Sequence, residues 1–246
     1  MQLLRAKFAG SSTAARAVPF LVFVGLTFFQ GKVGPTSPYW VYLGKTLVGT
    51  WLIWLSRPWV PEMEWRFSGA AVLVGVGVFG LWVGLDGLYP SLSQLAHDWL
   101  GPPLRAAGLA RWAPDPGTPP APWNPLARFG PHSGLAWLCV VGRLGGSSLV
   151  VPPLEEVFYR SFLYRYLVKV DFLALPLARF RWRPFLAVSI LFGVSHYEWL
   201  PGILCGFAYQ GLVCWKGRLG DAMTAHALTN LLLGLWVVSR GAWQFW

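Results

Sequence analysis

Two adjacent carboxylates, Glu155 and Glu156, followed by Arg160, stand inside a stretch that otherwise reads as lipid-spanning helix. A charged side chain at the centre of a bilayer costs at least about 2.5 kcal/mol, so such residues usually face a protein interior and mark a site. On a helix Glu156 and Arg160 share one face, with the acid N-terminal to the base, the favourable order for an i,i+4 pair. Arg160 can therefore neutralise Glu156 in place. Glu155 is rotated by about 100° from Glu156, which leaves it to face a cavity. Three more polar side chains lie in later apolar segments: His196, four residues after Phe192, and the pair His226 and Asn230, also four apart. The spacing of that pair lets an imidazole N–H and an amide NH₂ converge on one point, as donors to a developing oxyanion must.

The chemistry such a set supports is amide hydrolysis. Glu155, helped by His196, would hold a water and take its proton as general base, while His226 and Asn230 stabilise the tetrahedral oxyanion. The alternative is a divalent metal such as zinc on Glu155, His196 and His226, which would acidify a bound water. Other templates are missing. The sequence has no His-Glu-x-x-His and no Gly-x-Ser-x-Gly. His196-Tyr197-Glu198 is not followed by the Pro-Cys-x-x-Cys of a deaminase.

The elements that must position these residues are membrane helices. Of the 246 residues 55% are hydrophobic and only 12% charged, with 16 tryptophans and a mean hydropathy of +0.48; a soluble domain carries roughly 25% charged residues. The expected fold is all-α: a single polytopic membrane domain over 1–246, with about eight transmembrane helices enclosing an intramembrane site. N-terminal spans occupy 1–90, a Pro-rich loop 91–131 and the catalytic core spans 132–246. Apolar runs place helices near 17–30, 39–56, 68–88, 133–151, 152–170, 184–197, 201–215 and 219–239. Pro152-Pro153, Pro184 and Pro201 read as helix starts, where the missing N–H is not needed. The first apolar run follows Arg5, Lys7 and Arg16 as a signal peptide might, but lacks a small-residue cleavage site and reads as the first helix.

The loop prolines, including Pro119-Pro120, cannot lie exposed in hydrocarbon, and Leu92 to Trp112 is apolar enough to rest on the headgroup surface. The net charge of +10 fits Lys and Arg meeting anionic headgroups; no separate basic helix suggests nucleic acid. Charge does not settle the orientation, because the N-terminal cluster and the later clusters argue oppositely. Cys139, Cys205 and Cys214 read as packed thiols, and Gly202-x-x-x-Gly206 as a close helix contact inside the fold. Lys45 reads as snorkelling to the interface, Asp86 as wet, and Arg143 as a partner for Asp86 or Glu156.

In order, spacing and apolar setting, Glu155-Glu156-Val157-Phe158-Tyr159-Arg160, Phe192-x-x-x-His196 and His226-x-x-x-Asn230 resemble the three motifs of the CPBP family. That family comprises the type II CAAX prenyl proteases, bacteriocin-processing enzymes and their relatives, also called the ABI family. The resemblance spans about Val151 to Val238. It implies an eight-helix intramembrane endopeptidase in which Glu155 activates water with His196, His226 and Asn230 serve the oxyanion, and Glu156 and Arg160 support the site. The run Val151-Pro152-Pro153-Leu154-Glu155-Glu156 and His196-Tyr197-Glu198-Trp199 also resemble a bacterial CAAX protease-related subgroup found near exosortase systems. The expected partners are a peptide or membrane-protein substrate and the lipid bilayer of a bacterial inner membrane. The rival is a non-catalytic scaffold, immunity factor or small transporter of the same fold. Inverted repeats would mark a transporter and loss of a motif residue a scaffold; the sequence shows neither.

Overall fold

The computed structural model describes residues 1–117 and 121–246, so Pro119 and Pro120 of the Pro-rich loop lie outside the described residues. Among the described residues there are helices and no strands. In chain order they are α1 (Gln2–Gly10), α2 (Ser12–Thr27), α3 (Ser37–Ser56), α4 (Gly69–Gly84) and α5 (Leu92–Ala106). The short α6 (Pro125–Phe129) precedes α7 (Gly134–Val168), α8 (Trp182–Val194), α9 (Trp199–Lys216) and α10 (Gly220–Arg240).

The outward surfaces of these helices carry Leu47, Leu73, Val76, Leu138, Leu149 and Leu235, all exposed. Buried positions instead include Arg16, Lys45, Glu156, Arg160, Asp221 and His226. Apolar residues outside and ionisable ones inside is the arrangement of a protein solvated by lipid, and the chain is an integral membrane protein. α7 and α10 are long and apolar enough to cross a bilayer; α2, α4 and α8 are shorter apolar helices.

Two boundaries differ from expectation. The predicted helices 133–151 and 152–170 are one 35-residue helix, α7, so Pro152 and Pro153 lie within a helix rather than at its start. Two widened π-type segments, Gly146–Val150 and Val157–Leu163, explain this. Proline cannot donate to the preceding turn and its ring crowds it. The wide turn just ahead of Pro152 relieves that conflict, and the carbonyl of Ser147 is taken instead by Asn230 Nδ2 at 2.8 Å. The predicted helix 184–197 ends at Val194, which places His196 in the turn that follows. In the proline-rich stretch, Leu92–Ala106 is helical, opened by a capping box between Ser91 and Gln94. It continues through Pro102 and Pro103.

α7 runs through the centre, against α2, α3 and α10, while α4 packs on α9 and α10 and α8 packs on α9. Small residues let these pairs approach. A Cβ on Gly202 would sit 2.9 Å from the Gly193 Cα, and one on Gly206 would sit 2.8 Å from the Ser189 Cα. The Gly-x-x-x-Gly stripe is thus used inside the fold, seating α9 on α8. A third contact fixes α4 on α10: a Cβ on Gly75 would lie 2.7 Å from the Ala225 carbonyl oxygen.

Candidate active site

α7 and α10 meet at two carboxylates and an imidazole. Glu156 on α7 is wholly buried, and its Oε1 accepts from His226 Nδ1 of α10 at 2.9 Å. Its other oxygen faces Arg160 Nε at 3.3 Å, an ion pair too poorly aligned to be a hydrogen bond. The Arg160 guanidinium is held mainly by ring faces, 4.2 Å from the Phe192 centroid and 5.8 Å from that of Tyr209. A carboxylate paired with arginine can only accept, so the ring proton of His226 sits on Nδ1 and Nε2 points the other way. It points at Glu155, whose Oε2 lies 4.0 Å off. That oxygen is buried and has no hydrogen-bond partner among the described residues.

The His226 ring is also fixed from the side. Tyr209 of α9 stacks on it with centroids 5.1 Å apart. The Tyr209 hydroxyl donates to Thr229 Oγ1 at 2.7 Å, and Thr229 donates in turn to the carbonyls of Gly75 or Ala225. Three helices therefore hold one imidazole. A residue held by such a chain pays little to reach its working geometry.

His196 caps α8 instead of extending it: Nδ1–H donates to the Phe192 carbonyl at 2.7 Å, one of the last carbonyls without a helical partner. Its Nε2 is left as an acceptor. Its turn is tied to the segment after α4, where the Tyr89 hydroxyl meets the Glu198 carboxylate and Trp199 Nε1 donates to the Pro90 carbonyl at 3.0 Å. Asn230 spends one amide N–H on Ser147, and its second is not engaged among the described residues.

Glu155, His196, His226 and Asn230 all line one cavity of about 550 Å³ that opens between the helices. Phe192 lines it as well, whereas Glu156 and Arg160 stand behind its wall. A metal does not fit the set as arranged. Glu155 and His226 approach each other, but among the described residues no three His, Cys, Asp or Glu side chains come close enough to hold an ion, and a catalytic zinc needs three protein ligands.

Several residues of this cavity were not placed at the site by the sequence reading. Tyr209 is one; nothing in its local sequence singles it out. Lys45 and Arg143 are two more. Lys45 is not at the interface but buried at 7% exposure, and Arg143 pairs with neither Asp86 nor Glu156 but lies among Tyr42, Trp123 and Trp246. The position of Lys45, ninth in a 20-residue helix, is the signal that could have found it.

The fold and cavity define a helical membrane protein with a glutamate–histidine site on the wall of an interhelical cavity. Residues 135–232, which contain all three motifs, match the family described as Type II CAAX prenyl endopeptidase Rce1-like. That match, over the part of the chain that carries the site, supports a relationship to the CPBP, or CAAX protease, family. No curated protein and no solved structure matches it.

Proposed function

We propose that the protein is an intramembrane endopeptidase that hydrolyses a peptide bond of a peptide or membrane-protein substrate with a water activated by Glu155. The observation that carries this reading is the unpartnered Glu155 Oε2 facing His226 Nε2 at 4.0 Å on a cavity wall. That gap is too long for a direct bond and fits one water accepting or donating at both ends, each at about 2.8 Å.

Charge balance sets the working state. Arg160 cancels Glu156, so a single proton shared by Glu155 and His226 leaves the buried group neutral, the arrangement a low-dielectric site favours. With that proton on His226, Glu155 is a free carboxylate. It takes a proton from the water as the water oxygen bonds to the scissile carbonyl carbon. The imidazolium Nε2–H and the second N–H of Asn230 then donate to the oxyanion. Collapse of the intermediate breaks the C–N bond, and Glu155 returns its proton to the departing amine. His196, with Nε2 as acceptor, helps orient the water. No step here passes through a metal.

Seven helices, α2 to α4 and α7 to α10, form the bilayer-embedded body in this reading. The Val151–Glu156 run and the His196–Trp199 extension favour the inner membrane of a bacterium. The test compares protein termini in host membranes carrying the native chain or Glu155→Gln. Termini that appear only with the native chain are expected. Identical termini, with both proteins equally folded, would remove the peptidase reading and favour a non-catalytic scaffold.

A further inference from the structure

The cavity that Glu155 lines has a second polar feature. Lys45 of α3 and Arg143 of α7 both line it. Lys45 Nζ donates to Thr27 Oγ1 at 2.8 Å and lies 4.6 Å from the Phe23 ring centroid and 5.1 Å from that of Tyr42. The Arg143 guanidinium lies 4.8 Å from the same Tyr42 ring and 4.6 Å from Trp123. Neither cation forms an ion pair among the described residues. Glu155 lines the same cavity but makes no ion pair with either cation, and the other buried or partly buried carboxylates have partners elsewhere: Glu62 is bound by Arg16 and Arg165, Glu156 by Arg160, Asp221 by Arg218, and Glu198 by Tyr89. Aromatic faces attract a cation through the ring quadrupole but use none of its N–H donors. Lysine has three such donors and arginine five, and only one of the eight, on Lys45, is engaged among the described side chains.

Two like charges sharing one ring, in a span where each is costly, are a poor arrangement unless something anionic comes between them. We infer that Lys45 and Arg143 form an anion-receiving subsite of the cavity, which lodges a carboxylate of the peptide being cleaved. The carboxylate is either a free C-terminus or an acidic side chain at a fixed distance from the cut. Charge-assisted hydrogen bonds to it are stronger than neutral ones and would orient the chain across Glu155. This rests on the peptidase reading and adds the chemistry of what it selects.

The experiment uses the full-length protein in detergent and a library of proteome-derived peptides, offered untreated or with all carboxyl groups amidated. Native protein and Glu155→Gln are compared, and the best-cut peptide is remade with an amidated C-terminus or with its acidic side chain changed to the amide. Neutralising one carboxylate is expected to lower kcat/KM at least about tenfold, mainly through KM, as loss of a charged hydrogen bond does; which arm does so identifies the source. Lys45→Met and Arg143→Met should narrow the acid-to-amide ratio toward one. Equal cleavage of acidic and amidated peptides by the native protein overturns the inference and leaves the peptidase reading intact. If no peptide is cut in a Glu155-dependent way, the peptidase reading itself falls, and the inference with it.

Discussion

At the scale of single residues, the two glutamates are neighbours in sequence with opposite surroundings. Glu156 has a cation and an imidazole against it and no exposure; Glu155 has an unpaired oxygen on a cavity wall. Glu156→Gln keeps an acceptor for His226 but leaves the Arg160 guanidinium, 1% exposed, without its counter-charge. Breaking a buried pair from one side costs about 3–5 kcal/mol, so folded yield and melting temperature should both fall. Adding Arg160→Met should restore much of the stability without restoring proteolysis. A variant that melts like the native protein would mean that Glu156 carries no charge in the fold. Asn230→Ala should differ from a pure loss of transition-state stabilisation. It removes the donor to the part-buried Ser147 carbonyl, and a fully buried carbonyl left without a partner costs about 1–3 kcal/mol, an upper bound here. A lower melting temperature is therefore expected alongside the fall in kcat, and an unchanged melting curve would show the Ser147 bond to be dispensable.

At the scale of elements, α7 carries the site because it is not a regular helix. Its widened turns bracket the segment from Val151 to Glu156, and π-type turns inside helices often mark functional positions. Replacing Pro152 and Pro153 by alanine restores two backbone donors and removes the reason for the first wide turn. The segment should relax toward regular α-helix, rotating Glu155 relative to His226. Activity is expected to fall steeply while thermal stability holds or rises, a split readable from a melting curve beside a cleavage assay; full activity in the double variant would detach the wide turn from function. This region also shows what a sequence can and cannot disclose. The four-residue spacings of Glu156 with Arg160 and of His226 with Asn230 were legible because a helix turns local spacing into a shared face. The meeting of His226 with both glutamates was not, since it joins helices 70 residues apart. The prolines misled for a physical reason: proline suits a first helical turn, and only the backbone reveals that a wide turn has accommodated it mid-helix. Lys45 misled because a long side chain can snorkel, and nothing local states that it points inward.

At the scale of the molecule, a polar knot away from the cavity joins segments distant in sequence. Glu62, in the connection after α3, accepts from Arg16 Nε of α2 at 2.8 Å and from Arg165 Nη2 of α7 at 3.0 Å, and it meets the Ser161 hydroxyl. Burial alone would raise the Glu62 carboxyl, but the hydrogen bonds and charge of Arg16, with Ser161, hold it below its ordinary value of 4.5. The sign of the linkage follows. A carboxylate depressed by folding contributes stability in full above its unfolded value, and loses that contribution as the pH drops through its lower folded value. The melting temperature of the purified protein should therefore fall as the pH goes below about 4.5, because protonated Glu62 leaves Arg16 and Arg165 buried without a counter-charge. Glu62→Gln should melt lower than the native protein at neutral pH and show a flatter decline below pH 4.5. If the two acid profiles run parallel, another carboxylate governs the loss. Since the knot lies outside the lining of the cavity, proteolysis by Glu62→Gln at neutral pH, per folded molecule and below its melting range, should stay close to native.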